Sequence, residues 1–144
     1  MLSRASRHDV IEALNMHLRI ARPVTSIERS ARQYAVGLDL TRVGQFVDHH
    51  GFDGVMLGMP DAQFHLEFTR CRTHPVEPST TAEDLLVLYV PATDEWARRC
   101  EKMLAAGFTE VEPFNPYWKQ RGRTFRDADG YHVVIQNAEW RNAA

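Results

Sequence analysis

The stretch TSIERSARQYAVGLDL, residues 25–40, carries a helix with a signal at each end. Thr25 can cap the first turn while Glu28, three positions on, reaches back to it, the reciprocal pattern of a capping box. Ile27, Ala31, Tyr34 and Leu38 recur at helical spacing, so one stripe of the helix is apolar. Gly37 is a natural stop signal near its end. Working outward, HLRIARPV (17–24) reads as a short strand on the upstream side. Downstream lie three strand candidates, near 42–47, 54–59 and 63–70, parted by DHHGFDG and MPDA, both rich in turn formers. The unit is strand, helix, then three strands.

The unit occurs twice. LLVLYV (85–90) is an apolar strand, and Thr93 and Asp94 open a helix with Trp96, Cys100, Met103 and Leu104 on one side, ended by Gly107. Strands follow near 108–113, 123–126 and 131–137, with turns at NPYW and DADG. The helix-ending glycines lie 70 residues apart, which is the repeat period. THPVEPSTTAED (73–84) has two prolines and no apolar pattern, so it reads as a linker. The expectation is an α+β chain of two βαβββ modules, residues 16–72 and 85–137, with a tail at 138–144. Residues 1–15 read as an N-terminal extension, either a short helix presenting Val10 and Leu14 or an unstructured segment, and Met16 offers a second start.

Bulk composition narrows the function. Of 144 residues, 44% are hydrophobic and 25% charged, ordinary for a globular domain. A net charge of -2 gives no basic footprint for nucleic acid. No apolar run approaches the roughly 20 residues of a membrane helix, and the first residues lack the apolar core of a signal peptide. Cys71 and Cys100 are too few for a disulfide scaffold and read as reduced thiols, so a cytoplasmic location is expected.

Several segments together resemble the vicinal-oxygen-chelate superfamily, which includes glyoxalase I, bleomycin-resistance proteins and extradiol dioxygenases. ERSARQYAVGLDL resembles its ERS…FY…LGL helix, and HLEFT and the DADG turn resemble the ends of its two modules. RIARP, HHGFDGVMLG and NPYW…GRTF look like a glyoxalase-like bacterial branch of unproven activity. The resemblance spans about residues 17–137. It implies paired modules curling into a half-open, barrel-like cup that takes a small-molecule ligand, often in a homodimer.

Alternation then assigns faces, because side chains two apart in a strand point the same way. His17, Arg19, Gln63, His65 and Glu67 face the cup in the first module; Leu85, Val87, Tyr89, His132, Val134 and Gln136 face it in the second. Superfamily metal enzymes take ligands from the first and last strand of each module. Aligned on ERSARQY, those positions fall on Arg19, on Glu67, within LLVL and on Val134, so one ligand type of four remains. Arginine offers no lone pair to a metal but pairs well with a carboxylate. The leading expectation is therefore a pocket without the superfamily metal, formed by His17, Arg19, His65, Glu67, Tyr89, Trp118 and His132. It would sequester a compound or run a metal-free lyase or isomerase step, with Glu67 as base and His65 as its acid–base partner. The alternative is a lyase or dioxygenase whose shifted triad His17, His65 and Glu67 holds Mn, Fe, Ni or Zn. A third reading is a partner-binding module with a vestigial cup. FNPYWKQRGRTF sets aromatic residues among basic ones, and two roles stand for Trp118, a wall over the ligand or a contact between subunits.

Overall fold

The computed structural model describes residues 16–143, so the expectation for residues 1–15 lies outside it. The first module runs β1 (Leu18–Pro23), α1 (Ile27–Leu38), β2 (Thr41–His49), β3 (Phe52–Gly58) and β4 (Phe64–Cys71). The second runs β5 (Leu85–Tyr89), α2 (Thr93–Ala105), β6 (Thr109–Val111), α3 (Tyr117–Gln120), β7 (Gly122–Arg126) and β8 (His132–Gln136). The sheets have matching orders, β1-β4-β3-β2 and β5-β8-β7-β6. In each, the first strand runs parallel to the last and the remaining pairs are antiparallel. The fold is α+β, two similar modules whose sheets stay open as a cup and do not close into a barrel.

Three local signals act differently from their sequence reading. The cap of α1 is Ser26, not Thr25: its extended backbone (φ -134°) lets the hydroxyl accept from the Arg29 N–H at 3.2 Å. The Thr25 N–H donates instead to Asp129 of the other module, at 3.1 Å. Glu28 does not reach back, because the Arg42 guanidinium on β2 takes its carboxylate at 2.8 Å. Gly37 lies inside α1, which ends on Asp39 in the left-handed region (φ 54°). What Gly37 provides is clearance, since a Cβ there would sit 2.9 Å from Met103 Sδ and 3.0 Å from the Phe108 ring. Gly107 is a genuine stop, at φ +92°. NPYW, read as a turn, winds into the single helical turn α3.

Both modules share one core. Tyr34 and Ala31 of α1 and Leu57, Leu66 and Phe68 of the first sheet meet Cys100 and Met103 of α2, Phe108, and Phe125, Val133 and Ile135 of the second sheet. Tyr34 stands 4.9 Å from the Phe68 ring and edge-on to Phe108 at 5.2 Å. Its hydroxyl donates to Asp127 Oδ2 at 2.7 Å. Asp127 Oδ1 accepts from the backbone N–H groups of Asp129, Gly130 and Tyr131, each at 2.9 Å. The DADG turn of one module is thus clamped to the helix of the other. Burial, and then the Asp127 charge, push the Tyr34 phenol well above its ordinary range. Asp39 extends the seam by pairing with Arg99 (2.8 Å) and Lys102 (2.7 Å) of α2. Among the described residues, no strand pairing joins the two sheets. An apolar groove of about 240 Å³ runs between them, lined by residues that include Leu18, Ile20, Phe64, Leu66, Leu86 and Leu88.

Candidate functional site

The parallel pairing of β1 with β4 sets Arg19 beside His65 and Ala21 beside Glu67. Leu66 and Phe68 enter the core, so His65 and Glu67 rise from the opposite face. Arg19 spans both: one terminal nitrogen lies 3.0 Å from Glu67 Oε2, and its Nε donates to His65 Nε2 at 2.8 Å. His65 Nδ1 lies 2.7 Å from His17 Nε2. The four side chains form a chain in the order Glu67, Arg19, His65, His17.

The chemistry of the chain fixes its protons. A guanidinium nitrogen only donates, so His65 Nε2 must accept and the imidazole proton resides on Nδ1. That proton is donated to His17 Nε2, leaving His17 protonated at Nδ1 when neutral. Burial, then the Arg19 charge and then His17, hold the His65 pKa below its usual value, with Glu67 opposing. Glu67 is buried, at 8% exposure, whereas the Arg19 side chain is half open to solvent.

This arrangement does not suit a divalent ion. The carboxylate that would bind it is occupied by a guanidinium, and the His65 nitrogen nearest that carboxylate's partner accepts from the same guanidinium. Among the described residues, no three His, Cys, Asp or Glu side chains converge as a metal site. His17 and His65, read from sequence as two members of a triad with Glu67, spend ring nitrogens on each other.

Tyr89, His132 and Trp118 belong to the second sheet. Tyr89 and His132 stand on the face opposite the core residues Leu86, Leu88, Val133 and Ile135. Tyr89 lies 6.0 Å from the Trp140 ring, and Trp118 stacks edge-on to Tyr117 at 4.9 Å. Burial and then Arg126 lower the His132 pKa. Among the described residues, no hydrogen bond or ion pair links these side chains to the Arg19–Glu67 chain; contacts between modules run through α1, α2 and the DADG turn. Thr124 was not singled out in the sequence. It shares with Gln136 the face of β7 and β8 turned away from the core residues Phe125, Val133 and Ile135, and both are almost wholly buried. Its only sequence signal was alternation, in a strand where threonine is unremarkable.

Comparison with known proteins follows the same two-part division. The YycE-like N-terminal domain model matches residues 18–69 and the YycE-like C-terminal domain model matches residues 83–137. The YycE protein of Bacillus subtilis strain 168 is 43% identical over 122 residues, 85% of this chain and 88% of that one. A crystal structure of a Bacillus subtilis YycE protein, suggested to be a glyoxalase/fosfomycin resistance protein, superposes with a TM-score of 0.82 at 41% identity. That match covers 89% of this chain and 93% of the other. The fosfomycin resistance protein FosX of Mesorhizobium loti shares the fold at 12% identity (TM-score 0.63, 84% and 90% covered). So does glyoxalase I of Zea mays at 20% identity (TM-score 0.65, 83% of this chain and 45% of that one).

Proposed function

The chain belongs to the YycE-like family, and from that premise we propose that its cup holds a small polar or aromatic molecule without the superfamily's metal. Arg19, His17, His65 and Glu67 serve the first module's side of the pocket, and Tyr89, His132 and Trp118 the second's. The observation that carries this reading is the Arg19 guanidinium set against both Glu67 and His65. It would set a cation at the position where the resemblance to the vicinal-oxygen-chelate superfamily implies a metal, leaving the remaining guanidinium edge for a polar group of the ligand. The same pairing engages the Glu67 carboxylate with the Arg19 guanidinium, which favours holding a compound over proton abstraction. A metal-free lyase or isomerase step would use His65 as the partner of Glu67.

Homodimerisation is part of the proposal. β2 is an edge strand, and Val43 and Val47 on it are more than half exposed, a surface suited to a second copy. The free thiols of Cys71 and Cys100 support an intracellular setting.

The test is metal content by plasma mass spectrometry on untagged protein incubated with Mn(II), Fe(II), Ni(II) and Zn(II), then dialysed. The expected result is no stoichiometric retention. Retention that vanishes in Glu67→Ala and His65→Ala would overturn the reading in favour of a metal-dependent lyase or dioxygenase with shifted ligands.

A further inference from the structure

The second module carries buried polar atoms that its own fold leaves unsatisfied. Gln136 Oε1, Thr124 Oγ1 and His132 Nδ1 are sealed from solvent and have no hydrogen-bond partner among the described residues. The antiparallel register pairs Gly122 with Gln136, Thr124 with Val134 and Arg126 with His132, so all three orphans stand on one face of β7–β8, away from the core. Thr124 is 2% exposed and Gln136 4%. A sheet that needed this face only for packing would carry aliphatic side chains there, because a buried polar atom without a partner is destabilising.

Gly122 shows what lies over Gln136. A Cβ at this position would come 2.3 Å from Gln136 Oε1 and 2.7 Å from the Trp118 carbonyl oxygen. The helical turn α3 therefore lies against the Gln136 end of this polar face. It is held to the rest of the module by the Lys119–Glu112 pair at 2.7 Å and, at its C-terminal end, by two bonds between Arg121 and Asn137: Arg121 Nε to the Asn137 carbonyl at 3.1 Å and the Asn137 N–H to the Arg121 carbonyl at 2.7 Å. Tyr89 lies across from Gln136 on the neighbouring strand. Unsatisfied polar atoms, a short helical turn and flanking aromatic rings occur at one end of one sheet.

We propose that Gln136 and Thr124 form a subsite for the hydrogen-bond-donating edge of a planar ligand, a phenol or ring N–H, which enters when α3 lifts. This rests on the reading of the cup as a small-molecule pocket and gives the chemistry of its second half. The Gln136 carbonyl oxygen accepts from the ligand, the Thr124 hydroxyl completes the pair, and Tyr89 and Trp118 flank the ring.

The test uses phenol as probe and anisole, which has the ring and oxygen but no donor, as its control. Each is titrated into the ¹⁵N-labelled full chain while the Gly122 amide, the Gln136 side-chain amide and the Trp118 indole N–H are followed by NMR. Phenol is expected to shift these signals saturably, and anisole to bind roughly tenfold more weakly or not at all. Gln136→Met and Thr124→Val, close in shape but without the acceptor, should each weaken phenol by about the same factor while raising the melting temperature, since each removes an unsatisfied group. Equal binding of phenol and anisole, or unchanged phenol binding in both variants, would overturn the proposal. Metal uptake by the wild-type chain would remove the Arg19 reading and leave this result standing, so the two can fail separately.

Discussion

Arg19 illustrates how one residue type redirects a site. Alternation along β1 and β4 was enough to put Arg19, His65 and Glu67 on a common face, because a strand's period leaves no freedom there. It could not say that His65 would accept from Arg19 while donating to His17, since that depends on side-chain torsions. The first prediction follows from burial. Arg19→Ala leaves the Glu67 carboxylate enclosed without its partner, and should destabilise the protein by about 1–3 kcal/mol, read from the urea midpoint, with Glu67→Gln in the same background recovering much of the loss. Arg19→His is the converse experiment. An imidazole beside His65 and Glu67 creates a two-histidine, one-carboxylate set, and calorimetry should detect Zn(II) or Ni(II) binding tighter than any shown by the wild type. A third prediction concerns pH. His65 and His132 both have pKa values lowered in the folded state, so above about 6.5 neither state binds the proton. As pH falls through that value, the unfolded chain takes up protons that the folded chain resists, and stability declines towards the lower folded values. Denaturant midpoints between pH 7.5 and roughly 5 should fall accordingly, and the slope should flatten when both histidines are replaced by alanine.

At the scale of elements, apolar spacing in α1 and α2 and the turn-forming separators identified the helices and strands, because core burial imposes those periods. The end signals were less dependable. Thr25 and Glu28 match a capping box, yet both are drawn to partners distant in sequence, Asp129 and Arg42. Gly37 looked like a terminator and proved to be a contact surface between helices. A side chain there is accommodated only by moving Met103 and the Phe108 ring, so Gly37→Val should cost about 1–3 kcal/mol. The comparable change at solvent-facing Gly51, where a Cβ meets nothing within 4 Å, separates packing from backbone strain, since its φ of +85° carries the strain alone. The bond from Tyr34 to Asp127 had no sequence signature beyond the DADG turn. Tyr34→Phe keeps the ring and removes the donor, and a loss of about 1.5–3 kcal/mol is expected for a hydrogen bond to a charged group. Thermal melts of the variant test it.

For the whole molecule, the 70-residue repeat carried the fold, since two copies of one unit with an apolar face must bury those faces together. The repeat does not specify how its copies meet. They meet through α1, α2 and the clamp at Asp127, with one core continuous across both, while residues 74–80 of the connector take no helix or strand. Peptide continuity between the halves is then a matter of convenience more than of architecture. A chain severed between Glu77 and Pro78 should yield two pieces that are each unfolded alone, because Tyr34 in one and Met103 in the other would lose their cover. Mixed, they should reassemble into the native fold. The protein would become a fragment-complementation pair whose melting point rises with concentration, as an obligate heterodimer's does.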